Sequence, residues 1–300
     1  MNRKFLNWSI FILLCFIWGS SFILMKEGKD HLTAFQIGGL RIFSAGLIFL
    51  PVAIFALNKI SRRKLGVLAL TGFVGNLLPA FLFAAAIMKI DSLLEGILNC
   101  LTPICVVVIG WLVFGTRIRS RKILGVFIGF AGLCLLTFLK NDVSTANLGY
   151  SALVIVATIS YGFNVNMASH YLKGINPVHM AAVSLVMMAI PAGLVLWQQG
   201  FFQLDFSSAA MQWSVLCSVL LGVVGSALAT AIFYILVKNA GGLFASMVTY
   251  GIPFVALFWG SLDDEPVTWL EIACLGIILV GVFLTNFPEK KRKPADEAEK

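Results

Sequence analysis

Apolar runs of about twenty residues, separated by short clusters of charge, recur along this 300-residue chain. No other feature constrains the fold as much. A helix rises about 1.5 Å per residue, so a run of that length crosses the hydrocarbon core of a bilayer. A spanning strand needs only about ten residues but must alternate in polarity. Stretches such as 65–75 and 123–139 are instead apolar at nearly every position. Composition agrees, with 59% of residues hydrophobic and 12% charged, against roughly 25% charged in soluble domains. A water-soluble fold would lack the polar groups to cover its surface. The expected fold class is an all-α polytopic membrane protein embedded in a lipid bilayer.

Ten transmembrane helices are predicted, at about 7–25, 34–57, 65–88, 92–114, 122–139, 148–170, 178–199, 211–237, 242–262 and 269–287. Arg3 and Lys4 before the first run resemble the start of a signal peptide. That run contains Trp18, reaches Lys26 and lacks a small-x-small cleavage site, so it is read as the first span. The connections are short, no soluble domain is predicted, and the polar segment 288–300 reads as a disordered cytoplasmic tail. With the N-terminus inside, 17 of the 22 Lys and Arg fall in inner segments. The outer segments hold Lys26, Lys29, Lys89 and Lys140, and Arg41 lies within a span. The positive-inside rule then places both termini in the cytoplasm, and the expected location is a bacterial cytoplasmic (inner) membrane. The outer segment with Asp263, Asp264 and Glu265 fits that orientation.

The net charge of +8 sits between spans, which argues against a nucleic-acid partner. The six cysteines fall inside predicted spans without a CxxC pair and read as small packing residues. His170 and His179 are isolated, so no metal site is expected.

The chain also repeats itself at an offset of 150 residues. Gly72, Val74 and Gly75 recur as Gly222, Val224 and Gly225, and Leu78, Phe83, Leu93 and Pro103 recur as Leu228, Phe233, Leu243 and Pro253 without a gap. One residue is then lost, and Gly132 aligns with Gly281. Leu and Phe matches are cheap in apolar sequence. Gly and Pro matches carry more weight, because those residues are placed for backbone reasons. Pro103 and Pro253 each fall in mid-span, where proline removes a helix hydrogen bond and kinks the helix. The repeat divides the chain into a first five-helix unit, 1–143, and a second, 144–287. Five is odd, so the second unit enters the membrane from the opposite side. Inverted repeats around a central cavity give alternating access a physical basis.

Four stretches carry a family likeness: Trp18-Gly-Ser-Ser-Phe22, Leu40-Arg41, Thr102-Pro103 through Trp111-Leu-Val-Phe-Gly115, and Gly125 to Gly132. The second half repeats the pattern in Ile252-Pro253, Trp259-Gly260, Glu265-Pro266 and Gly281. The chain thereby resembles the drug/metabolite transporter superfamily, in its ten-helix EamA-like branch. It departs from the pattern in having Thr116 where an acid often follows the fourth span, and Cys274 in place of a glycine. The resemblance implies a cavity lined by spans one, three, four, six, eight and nine, with five and ten packed farther out. It also implies transport of amino acids, their derivatives or other small metabolites without nucleotide hydrolysis. The lack of a GxxxxGK[ST] loop agrees, and no cofactor is expected.

Polar side chains within a bilayer are costly and usually face the bundle interior. Asn76 and Ser226 occupy equivalent depths behind Gly75 and Gly225, and either contact substrate or bond across helices. Asn99 lies about one turn before Pro103. It either lines the cavity or satisfies the carbonyl that the proline frees; Thr249 and Tyr250 hold the matching place. Trp18, Ser20 and Ser21 lie in mid-span one, as wall and hydroxyl groups or as packing. Tyr161 and Asn164 are three apart and share a face of span six. Glu95 and Arg41 are candidates for coupling or gating, Glu95 as a proton-coupling acid. The alternative is that both snorkel or pair with each other. Gly125 and Gly129 form a GxxxG pattern, serving a dimer or packing within the chain.

The leading function is a secondary transporter of a small neutral or zwitterionic metabolite, with amino-acid export favoured chiefly by the resemblance. Multidrug efflux is the alternative carrier reading, and a passive channel a further one. An intramembrane enzyme would need clustered His, Asp or Cys at helical spacing, which the spans lack. Substrate, direction, coupling ion and oligomeric state stay open.

Overall fold

The computed structural model describes residues 3–90, 92–140, 148–262 and 268–285, and every regular element among them is helical. The acidic segment Asp263–Glu265 with Pro266, the boundary at 143/144, the end of the tenth expected span and the tail 288–300 lie outside the described residues.

The helices are α1 (Arg3–Gly28), α2 (Ala34–Leu57), α3 (Arg62–Ala86), α4 (Ser92–Asn99, then Thr102–Leu112) and α5 (Ser120–Lys140). They continue as α6 (Leu148–Tyr171), α7 (Pro177–Gln198), α8 (Ala209–Ala240), α9 (Gly242–Ser246, Met247–Gly251 and Ile252–Leu262) and α10 (Trp269–Thr285). Each expected span thus corresponds to a helical segment. Among the described residues eight helices, α1–α4 and α6–α9, are long and apolar enough to cross a membrane. The protein is a polytopic membrane protein. Side-chain caps fix several of the helix starts. Thr33 and Gln36 cap α2 reciprocally, as Thr268 and Glu271 cap α10. Asn176 caps α7, with Pro177 at the first turn.

Four helices are interrupted, in matching places. α3 contains a π turn at Phe73–Leu77 and α8 one at Val223–Leu228. α4 breaks between Asn99 and Thr102, and α9 tightens into a 3₁₀ stretch over Met247–Gly251. Pro103 and Pro253 explain the second pair. Each lacks an N–H, so the carbonyl four residues earlier loses its helical donor. The Thr102 hydroxyl donates to Asn99 O at 2.7 Å, and Cys100 Sγ donates to Thr249 O at 3.1 Å. The freed carbonyl of Asn99 is therefore met by Thr102, not by the Asn99 side chain.

Packing follows a reciprocal pattern. α1 lies against α8 and α9, and α6 against α3 and α4; α2 meets α8, and α7 meets α3. α2 and α7 run along each other, as do α5 and α10. The GxxxG glycines serve that last pair: a Cβ on Gly281 would stand 2.5 Å from both Gly125 O and Gly129 N. Only hydrogens let the backbones approach so closely. The outer surface carries exposed large apolar side chains, among them Ile54, Phe55, Trp111, Ile190 and Trp197. In water such a surface would drive aggregation; in lipid it is the solvent-facing side.

Candidate functional site

A π turn carries one residue more than an α-helical turn needs, and displaces carbonyls from their usual donors. In α8 the displaced carbonyl of Gly225 accepts from Trp18 Nε1 at 3.0 Å. The indole also packs on Phe233, with centroids 5.3 Å apart. In α3 the π turn carries Gly75 and Asn76 to the bundle interior. A Cβ at Gly75 would overlap the Asn164 amide, so any other residue there requires the Asn164 side chain to move.

Between these turns lies a cavity with about 840 Å³ of empty space, its opening included. Its polar side chains are Trp18 and Ser21 from α1, Arg41 from α2, Asn76 from α3, and Asn99 and Thr102 from α4. Tyr161 and Asn164 come from α6, Ser226 and Thr230 from α8, and Ser246 and Thr249 from α9. Phe22, Met25, Phe83 and Phe233 form the apolar walls, with the Tyr161 ring stacked on Phe83 at 6.0 Å. The lining comes from α1, α3, α4, α6, α8 and α9, with Arg41 of α2 in addition.

Hydrogen bonds order these groups. Arg41 Nε donates to Ser226 Oγ at 2.7 Å. Thr230 Oγ1 donates to Asn76 Oδ1 at 3.2 Å, and Tyr234 OH to Asn164 Oδ1 at 3.0 Å. Asn76 Nδ2, buried at the cavity, has no partner among the described residues.

Of the residues singled out from sequence, the cavity brings together Trp18, Ser21, Arg41, Asn76, Asn99, Tyr161, Asn164, Ser226 and Thr249. Ser20 and Tyr250 stand apart. Ser20 Oγ accepts from Trp259 Nε1 at 3.1 Å, on another face of α1. The Tyr250 hydroxyl donates to Val126 O at 3.0 Å, with its ring against Gly129. Both belong to helix packing. Glu95 is fully buried outside the lining, and neither carboxyl oxygen has a hydrogen-bond partner among the described residues. Arg41 and Lys29 are the cations whose fields reach it, but Arg41 spends its short contact on Ser226 instead of pairing with Glu95. Sequence reasoning missed Thr102, Thr230, Phe233 and Ser246. The spacing Ser226, Thr230, Phe233 is that of one helix face and was the available signal.

The EamA-like transporter family matches this chain twice, at residues 7–138 and 148–287. An uncharacterized transporter of Archaeoglobus fulgidus is 23% identical over 280 residues, covering 93% of this chain and 98% of its own. The uncharacterized inner membrane transporter YedA of Escherichia coli K12 is 26% identical over 289 residues, covering 92% and 91%. A solved crystal structure aligns with a TM-score of 0.69 at 13% identity, over 95% of this chain and 96% of its own, a likeness of fold. The two matched stretches take in nearly all of the sequence outside the tail, and the chain belongs to the EamA-like transporter family.

Proposed function

We propose that the protein is a secondary transporter moving a small neutral or zwitterionic metabolite, in the first instance an amino acid or derivative, outward across a cytoplasmic membrane. Two five-helix halves, 1–143 and 144–287, insert with opposite orientation and rock about the shared cavity, both termini being cytoplasmic. The observation that carries this reading is a polar cavity walled by side chains of both halves in an otherwise apolar bundle. A buried polar hollow costs stability unless it is used or filled. The reciprocal helix contacts and the matching π turns at Phe73–Leu77 and Val223–Leu228 support a pseudo-two-fold relation. Such symmetry is the basis on which inverted repeats exchange conformations.

Multidrug efflux is the second reading, favoured by the aromatic walls Trp18, Phe22, Phe83 and Phe233. Against it stands Arg41, a fixed cation in the cavity that repels lipophilic cations. Counterflow in proteoliposomes tests the carrier reading. Preloaded unlabelled substrate accelerates uptake of labelled substrate through a carrier, whereas an open pore shows no acceleration. Thiol labelling of single cysteines placed at residues 2 and 62 tests the orientation, with both expected to react from the cytoplasmic side.

A further inference from the structure

The cavity is rich in unspent donors and carries charge of one sign. Arg41 is the sole charged side chain in its lining among the described residues. Its guanidinium has five N–H donors, and one short contact, Nε to Ser226 Oγ at 2.7 Å, is its only hydrogen bond among the described residues. Asn76 is 7% exposed, and with its carbonyl oxygen taken by Thr230 its amide nitrogen remains without a partner. The Tyr161 hydroxyl, in the same lining and within the field of Arg41, has no hydrogen-bond acceptor among the described residues. Glu95 lies within electrostatic reach of Arg41 but does not occupy its donors. It is outside the lining and makes no hydrogen bond to Arg41.

A partly buried cation with open donors calls for an anion that is also a planar acceptor. The guanidinium fork matches two oxygens in a plane, and an amide N–H can take a further lone pair. One fixed cation balances one negative charge, which favours a monoanion over a phosphate dianion. Resting on the carrier reading of this cavity, we propose that Arg41 and Asn76 form a carboxylate subsite, so that the transported molecule is a small organic carboxylate held by its CO₂⁻ group. The aromatic walls of the cavity then take the apolar remainder of that molecule.

The test is a thermal-shift titration of the purified full-length protein with matched triplets: L-phenylalanine, L-phenylalaninamide and phenethylamine, and the same three forms of L-leucine and L-methionine. At least one acid is expected to bind at millimolar concentration, with its amide and amine weaker by about tenfold or more. In Arg41→Gln that preference is expected to vanish, and in Arg41→Lys to shrink without vanishing. Amines or amides bound as tightly as acids would overturn the subsite, as would binding by no acid in the panel. The wild-type acid-to-amide ratio requires no variant, so a misfolded Arg41→Gln leaves the test intact. Counterflow separates the two levels. Acid-selective binding without counterflow leaves the subsite and refutes the carrier. Counterflow of a molecule lacking a carboxylate leaves the carrier and refutes the subsite.

Discussion

Replacing Gly281 by alanine adds one methyl group to the face where α10 meets α5. That methyl would stand 2.5 Å from Gly125 O, 2.5 Å from Gly129 N and 2.6 Å from Gly129 Cα. All three obstacles are backbone, so no side chain can swing aside and the helices must separate. Overpacking a tight contact costs about 1–3 kcal/mol, and three backbone collisions place this one near the upper end, at about 3 kcal/mol. At roughly 2 °C per kcal/mol for a chain of this size, the unfolding midpoint should fall by about 6 °C. Gly276→Ala on the same helix is the control. A Cβ there meets nothing within 4 Å, and alanine gains up to about 1 kcal/mol of helix propensity. A thiol-reactive fluorogenic dye reports the transition in detergent, because Cys274 on α10, buried in the folded protein, becomes accessible on unfolding. If Gly281→Ala melts within about 1 °C of Gly276→Ala, the close backbone packing inferred here is wrong. If it instead changes the oligomeric state by light scattering at unchanged midpoint, the glycines serve contact between chains.

Asn76→Leu and Ser226→Leu each remove a polar group from the cavity and should cut counterflow by about tenfold or more at normal expression; wild-type rates in both would place the substrate elsewhere. Tyr250→Phe loses the buried bond to Val126 O, so the midpoint should drop by an amount equivalent to about 1 kcal/mol. The substrate KM should stay unchanged, and a tenfold rise would return Tyr250 to the site. Trp18→Phe keeps the ring near Phe233 but loses the bond to Gly225 O. Net transport should rise relative to exchange, as measured by efflux into substrate-free and substrate-containing buffer, and an unchanged ratio would refute the role of that bond.

What was legible in the sequence was mostly written in glycine and proline. Gly72, Gly75, Gly222 and Gly225 marked the neighbourhood of both π turns, and Pro103 and Pro253 marked both broken helices. The turns themselves were not legible. Inserting one residue into a helix changes no local propensity, and what rewards it here is tertiary: a Trp18 donor for the Gly225 carbonyl. Rotational phase was the other blind spot. Ser20 and Ser21 are adjacent on α1, about 100° apart, and sequence alone could not tell which faced the cavity. The structure turns Ser21 inward and leaves Ser20 to Trp259. Tyr250 failed for the same reason, being next to Thr249 and rotated toward α5. Arg41 and Glu95 stand in the sequence as coupling or gating candidates, with snorkelling or mutual pairing as the alternative. The Ser226 hydroxyl, from a helix 185 residues later in the chain, takes that contact instead.

Among the described residues, three hydrogen bonds at the cavity join the first half of the chain to the second: Trp18 to Gly225, Arg41 to Ser226 and Thr230 to Asn76. If the halves rock as proposed, these bonds are made and broken in each cycle. Two are neutral, at about 1 kcal/mol each, and the guanidinium bond is nearer 2, so an empty protein loses roughly 4 kcal/mol if nothing replaces them. That loss alone would hold the alternate state of the empty protein to about one part in a thousand. A ligand seated on Arg41 and Asn76 gives the guanidinium a new acceptor as Ser226 withdraws, and adds one for Asn76 Nδ2, which has none before. The loaded protein then has a lower-energy route between states than the empty one, which is the condition for exchange to outrun net flux. The cavity polar groups would in that case do two things at once, selecting the cargo and making its presence the requirement for movement.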